Sequence, residues 1–383
     1  MTKSKLIRIT TVPISLDKLL SGQLKFMNSF YDVIAVSSEK EYLAKIGKKE
    51  NVATFHLEMS RKITPIQDVF AVLKLVLFLR KEKPLIVHTH TPKAGIVGML
   101  AAFLARVPNR FHTVAGMPLL EESGFKRKIL DFVERLTYHF ATKVYPNSFG
   151  LKNIIENNNY CSSTKLKVLA NGSTNGIDTS FFSRDLFPEA DNKKLRRLLH
   201  ISSDDFVFIF VGRLVTDKGI NELVIAFEKL EKEQPLAKLL LVGDYENDLD
   251  PLSPLTIQII KQNKSIISVG FQNDVRSFFA IADCLVFPSY REGFPNVVMQ
   301  AGAMSLPCIV SDINGCNEII VQNKNGLIIP VKNQNVIFET MKLVISDVEL
   351  FNEMKKAARE MILKRYEQKV VWLSILKEYQ KVQ

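Results

Sequence analysis

Apolar residues in the first half of the chain fall into short runs that end in polar loops, with longer apolar stretches between them. LIRITTV, YDVIAVSS, PLIVHTH, NRFHTVAG and ATKVYPNS, starting at residues 6, 31, 84, 109 and 141, read as strands. Residues 66–81 and 94–105 have the length and pattern of helices. Strand and helix in alternation predict βαβ units and a parallel sheet.

The pattern then begins again. A stretch rich in Asn, Ser, Gly and Asp, NGSTNGIDTSFFSRDLFPEADNKK, precedes DFVFIFVGRL and a helical run over 220–232. AKLLLVGD, SIISVGF, DCLVFPS and LPCIVSD follow as further strands that end in Gly, Ser or Asp. These predict a second α/β domain, with the boundary near 175–190. The last segment, YEQKVVWLSILKEYQKVQ, is an amphipathic helix that either caps the second domain or returns to brace the first. The domains expected are therefore 1–185, 186–365 and a terminal helix over 366–383. Two open α/β domains imply a cleft, and ligands of such sheets sit beyond the carboxyl ends of the strands. The loops after the strands are where chemistry is expected.

Bulk properties narrow the class. A chain of 383 residues exceeds what one core usually serves. Its 46% hydrophobic and 24% charged residues and mean hydropathy of +0.06 are those of a soluble globular protein. Cys161, Cys284, Cys308 and Cys316 are scattered without a C-x-x-C pair, so a reduced compartment is expected and disulfides and zinc are not. The most apolar stretches, 69–79 and 94–107, are short and interrupted by Lys74 and Arg106. The polar N-terminal tip runs directly into a strand pattern rather than a leader, and a cytoplasmic protein is expected. The net charge of +11 is uneven: residues 1–190 carry 27 Lys+Arg against 16 Asp+Glu, and residues 191–383 carry 24 against 24. The first half thus has either an anionic partner or a solvated basic face.

Several loops carry candidate groups. In FVGRLVTDKGINELVIAF, Gly212 and Arg213 follow a strand, and Lys218-Gly219 precede a helix. Two cations five apart beside a helix N-terminus suit a diphosphate, though each cation can equally pair with Asp217 or Glu222. In SYREGFPNVVMQAG, Glu292 stands before a helix whose first residue is expected to be Pro295, and Gln300 lies eight residues on. A carboxylate there accepts bonds from sugar hydroxyls, and Gly293 lets a ligand approach the backbone. The plainer role for Glu292 is to complement the helix dipole. Gly270 and Phe271 in VGFQNDVRSFF offer backbone amides and a flat face to a nucleobase. In the first half, Gly22 allows close phosphate approach. VHTHTPKAGIVG places His88, His90 and Lys93 at a strand end, where His90 and Lys93 suit an anionic acceptor unless they only bond neighbouring backbone. Without a Cys or acidic partner at ligand spacing, no metal is expected there. GFKRKILDFVERLTYHF, residues 124–140, sets Lys126, Arg127, Lys128 and Arg135 beside Phe125, Ile129, Phe132, Val133 and Leu136, which suits either anionic lipid or a domain core.

In order and spacing, HTHTPKAG, NGID, GRLVTDKGI, VGFQNDV and PSYREGFPNVVMQAGAMSLPCIVSDINGCNEII make the whole chain resemble the family 4 retaining glycosyltransferases of bacterial capsule and O-antigen synthesis. The resemblance implies a GT-B fold, with two Rossmann-like domains whose parallel sheets face a central cleft. The N-terminal domain would bind the acceptor and the C-terminal one a nucleotide-sugar. Arg213 and Lys218 would grip the diphosphate and Glu292 the donor-sugar hydroxyls. Gly212, Gly293, Phe294 and Asn296 would line the sugar–phosphate region, Gly270-Phe271 would meet the base, and Gly22 would close on the phosphates. The implied chemistry is metal-free front-face displacement with no cofactor beyond the UDP-sugar donor. The acceptor would be a polyprenyl-diphosphate-linked saccharide. The chain would sit peripherally on the inner face of the plasma membrane, against anionic lipid, without a nucleic-acid partner.

Two positions depart from the family pattern. Gln300 replaces the second glutamate, which would contact ribose; an amide keeps an acceptor oxygen and gains donors, so activity is expected to survive. Ala115 stands where many relatives carry a histidine before glycine, leaving His112 as the nearest candidate. Rival readings are a UDP-sugar 2-epimerase of the same architecture and a catalytically silent nucleotide-sugar-binding subunit. A nicotinamide enzyme is disfavoured because no G-x-G-x-x-G follows the first strand.

Overall fold

Strands in this chain are apolar on both faces, as FVFIFV at Phe206–Val211 illustrates, and such strands need helices packed on either side. A computed structural model, describing residues 3–117, 119, 123–246, 248 and 250–383, shows them in two six-stranded parallel sheets. The first sheet consists of β1 (Lys5–Ile9), β2 (Asp32–Ser37), β3 (Ala53–His56), β4 (Ile86–Thr89), β5 (Asn109–Val114) and β6 (Lys143–Pro146). The second consists of β7 (Phe206–Val211), β8 (Ala237–Val242), β9 (Ile266–Ser268), β10 (Cys284–Phe287), β11 (Cys308–Ser311) and β12 (Gly326–Ile329).

The spatial orders are β3-β2-β1-β4-β5-β6 and β12-β11-β10-β7-β8-β9. Each is the doubly wound order 3-2-1-4-5-6, whose direction reverses between its first and fourth strands. In the first sheet the reversal lies between β1 and β4, with Arg8 opposite His88. In the second it lies between β7 and β10, with Leu285 opposite Ile209. The loops at these two places are the ones a ligand can enter between diverging helices.

The chain forms two compact units, one of Met1–Gly176 with Gln368–Gln383 and the other of Ile177–Glu367. In the second unit the Ile177 N–H donates to the Tyr366 carbonyl at 2.8 Å, and the Thr179 hydroxyl donates to Glu367. These bonds hold the residues that open and close that unit side by side. Helix Gln368–Gln380 belongs to the first unit, where Val371, Ile375, Leu376 and Tyr379 pack with Leu6, Leu16, Leu20 and Phe111. The Trp372 indole donates to Asn175 Oδ1 at 2.7 Å.

Two strands absent from the sequence reading, β3 and β12, are both edge strands of only four residues. β3, ATFH, carries little apolar signal, and β12, GLII, is apolar but only four residues long between QNKN and a proline.

Candidate active site

In the second unit the elements on either side of the reversal bring two loops together. After β7 the chain makes a single turn at Thr216–Lys218 and enters helix Ile220–Glu233 through Gly219. Gly219 has φ 70°, and a Cβ there would lie 2.2 Å from the Pro288 carbonyl oxygen. Only glycine lets this turn lie against the end of β10. The consequence is an ion pair: Lys218 Nζ donates to Glu292 Oε1, with the two side chains only 17% and 16% exposed. The buried Ser289 hydroxyl donates to the same oxygen at 3.1 Å, sharing its one hydrogen with the Arg291 carbonyl at the same distance. One carboxylate oxygen is thus held by two donors and the other is left unbonded among the described residues.

The loop carrying Glu292 is braced from behind. Asn314 Nδ2 donates to the carbonyls of Gly293 at 2.7 Å and Glu292 at 3.2 Å. The Tyr290 hydroxyl donates to Glu222 Oε1 at 2.7 Å, and Arg291 pairs with Asp217. Neither Ser289 nor Asn314 was singled out from the sequence. The serine's signal was its place directly after the strand-ending Phe287-Pro288, where a small polar residue is easily read as mere loop.

The remaining donor-side residues are placed less uniformly. Arg213, directly after Gly212, is 54% exposed and pairs with Glu246 at 2.5 Å rather than with Glu292. Gly270 and Phe271 follow β9; the Phe271 N–H donates to Asp244 Oδ1 at 3.0 Å and its ring is exposed. Phe294 packs edge-on against Tyr366 with centroids 5.4 Å apart, on the core side of the loop. Asn296 opens helix Asn296–Ala303 with Pro295 as its cap, one residue later than the sequence suggested. Gln300 lies half-buried in that helix.

In the first unit, Gly22 caps the short helix Gln23–Asn28 at φ 77°. Its N–H is taken by Glu50 Oε1 at 2.9 Å, and a Cβ would meet the Trp372 ring at 2.8 Å, so the backbone turn and the indole both account for a glycine there. His90 directly follows β4, with its N–H on the Ile9 carbonyl, and its ring is buried. Lys93 is committed to Asp68 at 2.5 Å and is 11% exposed. His112 is buried within β5, bonded through Nδ1 to the Thr89 hydroxyl at 2.7 Å, and a Cβ on Gly95 would lie 2.7 Å from its ring. Burial pushes its pKa down to about 4, which keeps it neutral. That is the setting of a packing histidine beneath helix Pro92–Leu104.

Comparisons with known proteins return the same fold and a family. The description "Glycosyl transferases group 1" matches residues 191–361, and "Glycosyl transferase 4-like domain" matches 31–172. The Staphylococcus aureus capsular polysaccharide biosynthesis glycosyltransferase CapM is 32% identical, over 97% of this chain and 96% of its own. An Escherichia coli UDP-Gal:alpha-D-GlcNAc-diphosphoundecaprenol alpha-1,3-galactosyltransferase is 29% identical, over 94% of each chain. Among solved structures, Anabaena Alr3699/HepE in complex with UDP superposes with a TM-score of 0.83 at 18% identity, over 99% of this chain and 100% of its own. A glycosyltransferase from Rickettsia africae gives 0.82 at 17%, over 100% and 99%. The fold is GT-B. The chain belongs to the group 1, or family 4, glycosyltransferases, and is an enzyme of that class.

Proposed function

We propose that this glycosyltransferase moves a sugar from a UDP-sugar to a saccharide carried on polyprenyl diphosphate, with retention of anomeric configuration, in the synthesis of capsule or a similar surface polysaccharide. The observation that carries the reading is the Lys218–Glu292–Ser289 cluster at the second reversal. It holds a carboxylate and a cation in register before any ligand arrives. The names of the S. aureus and E. coli relatives supply the polysaccharide and the lipid-linked acceptor.

In this reading Lys218 and Arg213 exchange their carboxylate partners for oxygens of the diphosphate. Charge-assisted bonds replace charge-assisted bonds, so Lys218, already largely out of water, need not be stripped of it anew. The sugar C1–O bond breaks as the bond from the acceptor oxygen to C1 forms on the same face. The electron pair of the broken bond leaves with the β-phosphate, where Lys218 and Arg213 stabilise it. The hydroxyl proton of the acceptor passes to that phosphate. Glu292, released by Lys218 but still held by Ser289, accepts bonds from donor-sugar hydroxyls. Gly212, Gly293 and Asn296 lie along the sugar and phosphates, Gly270-Phe271 meet the base, and Gln300 meets the ribose. His90 and Lys93, the last still shared with Asp68, serve the acceptor. His112, packed away from solvent, has no part in this scheme.

An anionic membrane surface is the proposed partner that brings enzyme and lipid-linked acceptor together. Among the described residues no helix is long and apolar enough to cross a membrane. Helix Pro65–Glu82 instead exposes Ile66, Phe70, Leu73 and Leu77 along one side, with Ile66 76% and Leu77 70% exposed. Residues 61–110 hold nine Lys or Arg against two acids, Asp68 and Glu82, which are themselves paired with Lys93 and Lys5. Apolar side chains set in unbalanced positive charge suit the inner leaflet. Helix Gly124–Phe140, packed on the far side of helix Pro92–Leu104, adds exposed Phe125 and Phe132.

The test is transfer of labelled sugar from UDP-sugars into a butanol-extractable lipid, with the product's anomeric configuration read by NMR. Label in the lipid with the donor's configuration supports the proposal. An inverted product removes the front-face mechanism, and conversion of UDP-N-acetylglucosamine with no acceptor present would favour an epimerase.

A further inference from the structure

The carboxyl end of the first sheet contains a charge that no carboxylate neutralises among the described residues. Arg8, the fourth residue of β1, is fully buried. Its Nε donates to His90 Nε2 at 3.0 Å, its Nη1 to the Tyr379 hydroxyl at 3.0 Å, and its Nη2 to Gln23 Oε1 at 2.5 Å. All three partners are uncharged. Burying an unpaired cation is costly, so the dipoles around it must be well aimed.

A guanidinium has only donors, and each atom it touches must therefore offer a lone pair. That condition settles the protons of the whole network. His90 Nε2 accepts from Arg8, so a neutral His90 carries its proton on Nδ1. The Tyr379 oxygen accepts from Arg8, which leaves its own hydrogen for His88 Nδ1 at 2.5 Å. His88 is then protonated on Nε2, which donates to the Thr113 hydroxyl at 2.8 Å. Adjacent histidines, with ring centroids 4.2 Å apart, hold opposite tautomers. Burial first, and then the charge of Arg8, opposes a second proton on either ring.

One end of this network is open. His90 Nδ1 is buried and has no hydrogen-bond partner among the described residues, and it sits one residue past β4, at the reversal of the first sheet. An unmet N–H in that position is what an incoming oxygen would satisfy.

We propose that Arg8 is a positioning residue that holds His90 neutral with its proton on Nδ1, and that this N–H donates to an oxygen of the saccharide acceptor. The second half rests on the transferase reading above; the first half stands without it. So arranged, His90 is no general base. Its one lone pair is spent on Arg8, and deprotonation of the acceptor falls to the departing phosphate.

The test uses the full chain labelled with 15N-histidine, with long-range proton–nitrogen correlation reading which ring nitrogen bears hydrogen. Signals are assigned by their loss in His88→Gln and His90→Gln. The expected spectrum shows His90 protonated on Nδ1 alone and His88 on Nε2 alone. In Arg8→Met, with folding checked by thermal melting, the His90 proton is expected to redistribute onto Nε2. A parent His90 protonated on Nε2, or on both nitrogens, overturns the Arg8 half. The acceptor half is read from turnover with lipid-linked saccharide extract. Arg8→Met is expected to raise the half-saturating extract concentration about tenfold and leave the UDP-sugar KM unchanged. R8M/H90N is expected to restore extract affinity, because an asparagine amide donates whatever the tautomer. Unchanged extract dependence in Arg8→Met, or absence of rescue, overturns the acceptor contact. If no extract supports turnover, the transferase reading fails and takes the acceptor half with it, while the spectrum still decides the role of Arg8.

Discussion

Lys218 and Glu292, 74 residues apart in sequence, form an ion pair across the reversal of the second sheet, with Ser289 holding the same carboxylate oxygen. The pair makes the two residues competitors as well as neighbours. A diphosphate must draw Lys218 from Glu292, and a sugar hydroxyl must find Glu292 once Lys218 has moved.

That competition separates two substitutions. Glu292→Ala is expected to leave UDP affinity unchanged or tighter, because it frees the lysine, while lowering turnover by about a hundredfold or more. Lys218→Ala is expected to weaken UDP binding about tenfold, the worth of one charge-assisted bond. Calorimetric titration of UDP into each variant checks both. Equal weakening in the two would mean that the pair acts only as structure.

Gly219→Ala addresses the turn that creates the pair. Its Cβ would fall 2.2 Å from a backbone oxygen at a φ of 70°, so backbone must shift. A stability loss of about 2–4 kcal/mol is expected, together with weaker UDP binding. Denaturant unfolding measures the first and the same titration the second; a neutral result on both would show that the turn is adaptable.

Glu134 lies buried in helix Gly124–Phe140, and burial, with Asp131 adding to it, raises its pKa from 4.5 to about 7. The folded state therefore holds a proton that the unfolded state has lost between roughly pH 4.5 and 7. Stability is expected to fall as pH rises through that window and to level off above it, by on the order of 3 kcal/mol in total. Glu134→Gln should remove this component and be the more stable form at pH 8. Chemical unfolding of parent and variant across pH 5 to 8 checks the sign; identical pH slopes would contradict it.

Peripheral seating gives its own expectation. Serine at Ile66, Phe70 and Leu77 together should abolish sedimentation with anionic liposomes at low salt and leave UDP binding intact. These side chains are already in water, so thermal stability should hold or rise. Retained liposome binding would point to another surface, with Phe125 and Phe132 the next to change.

Much of the architecture was readable from the chain because parallel strands buried on both faces announce themselves as continuous apolar runs. The positions of Arg213 and Lys218, after β7 and before a helix, were readable too. Their carboxylate partners were not, since Glu246 and Glu292 are joined to them only by the fold. Arg8 was hidden for a different reason. A lone charge within LIRI looks like an alternating, solvent-facing position, yet helix Gln368–Gln380 returns from the end of the chain to bury it beneath Tyr379. Helix Pro65–Glu82 shows the converse: its apolar residues predicted a helix correctly, but nothing in their spacing tells which of them the sheet covers and which stay exposed.

UDP release across a panel of UDP-sugars, with and without lipid-linked saccharide extract, tests the central claim most directly when the parent is run beside Glu292→Ala and Lys218→Ala. The account predicts release that depends on extract, favours one donor, and collapses in both variants. Tight UDP binding with no release in any mixture would contradict it and mark the chain as a nucleotide-sugar-binding subunit without turnover.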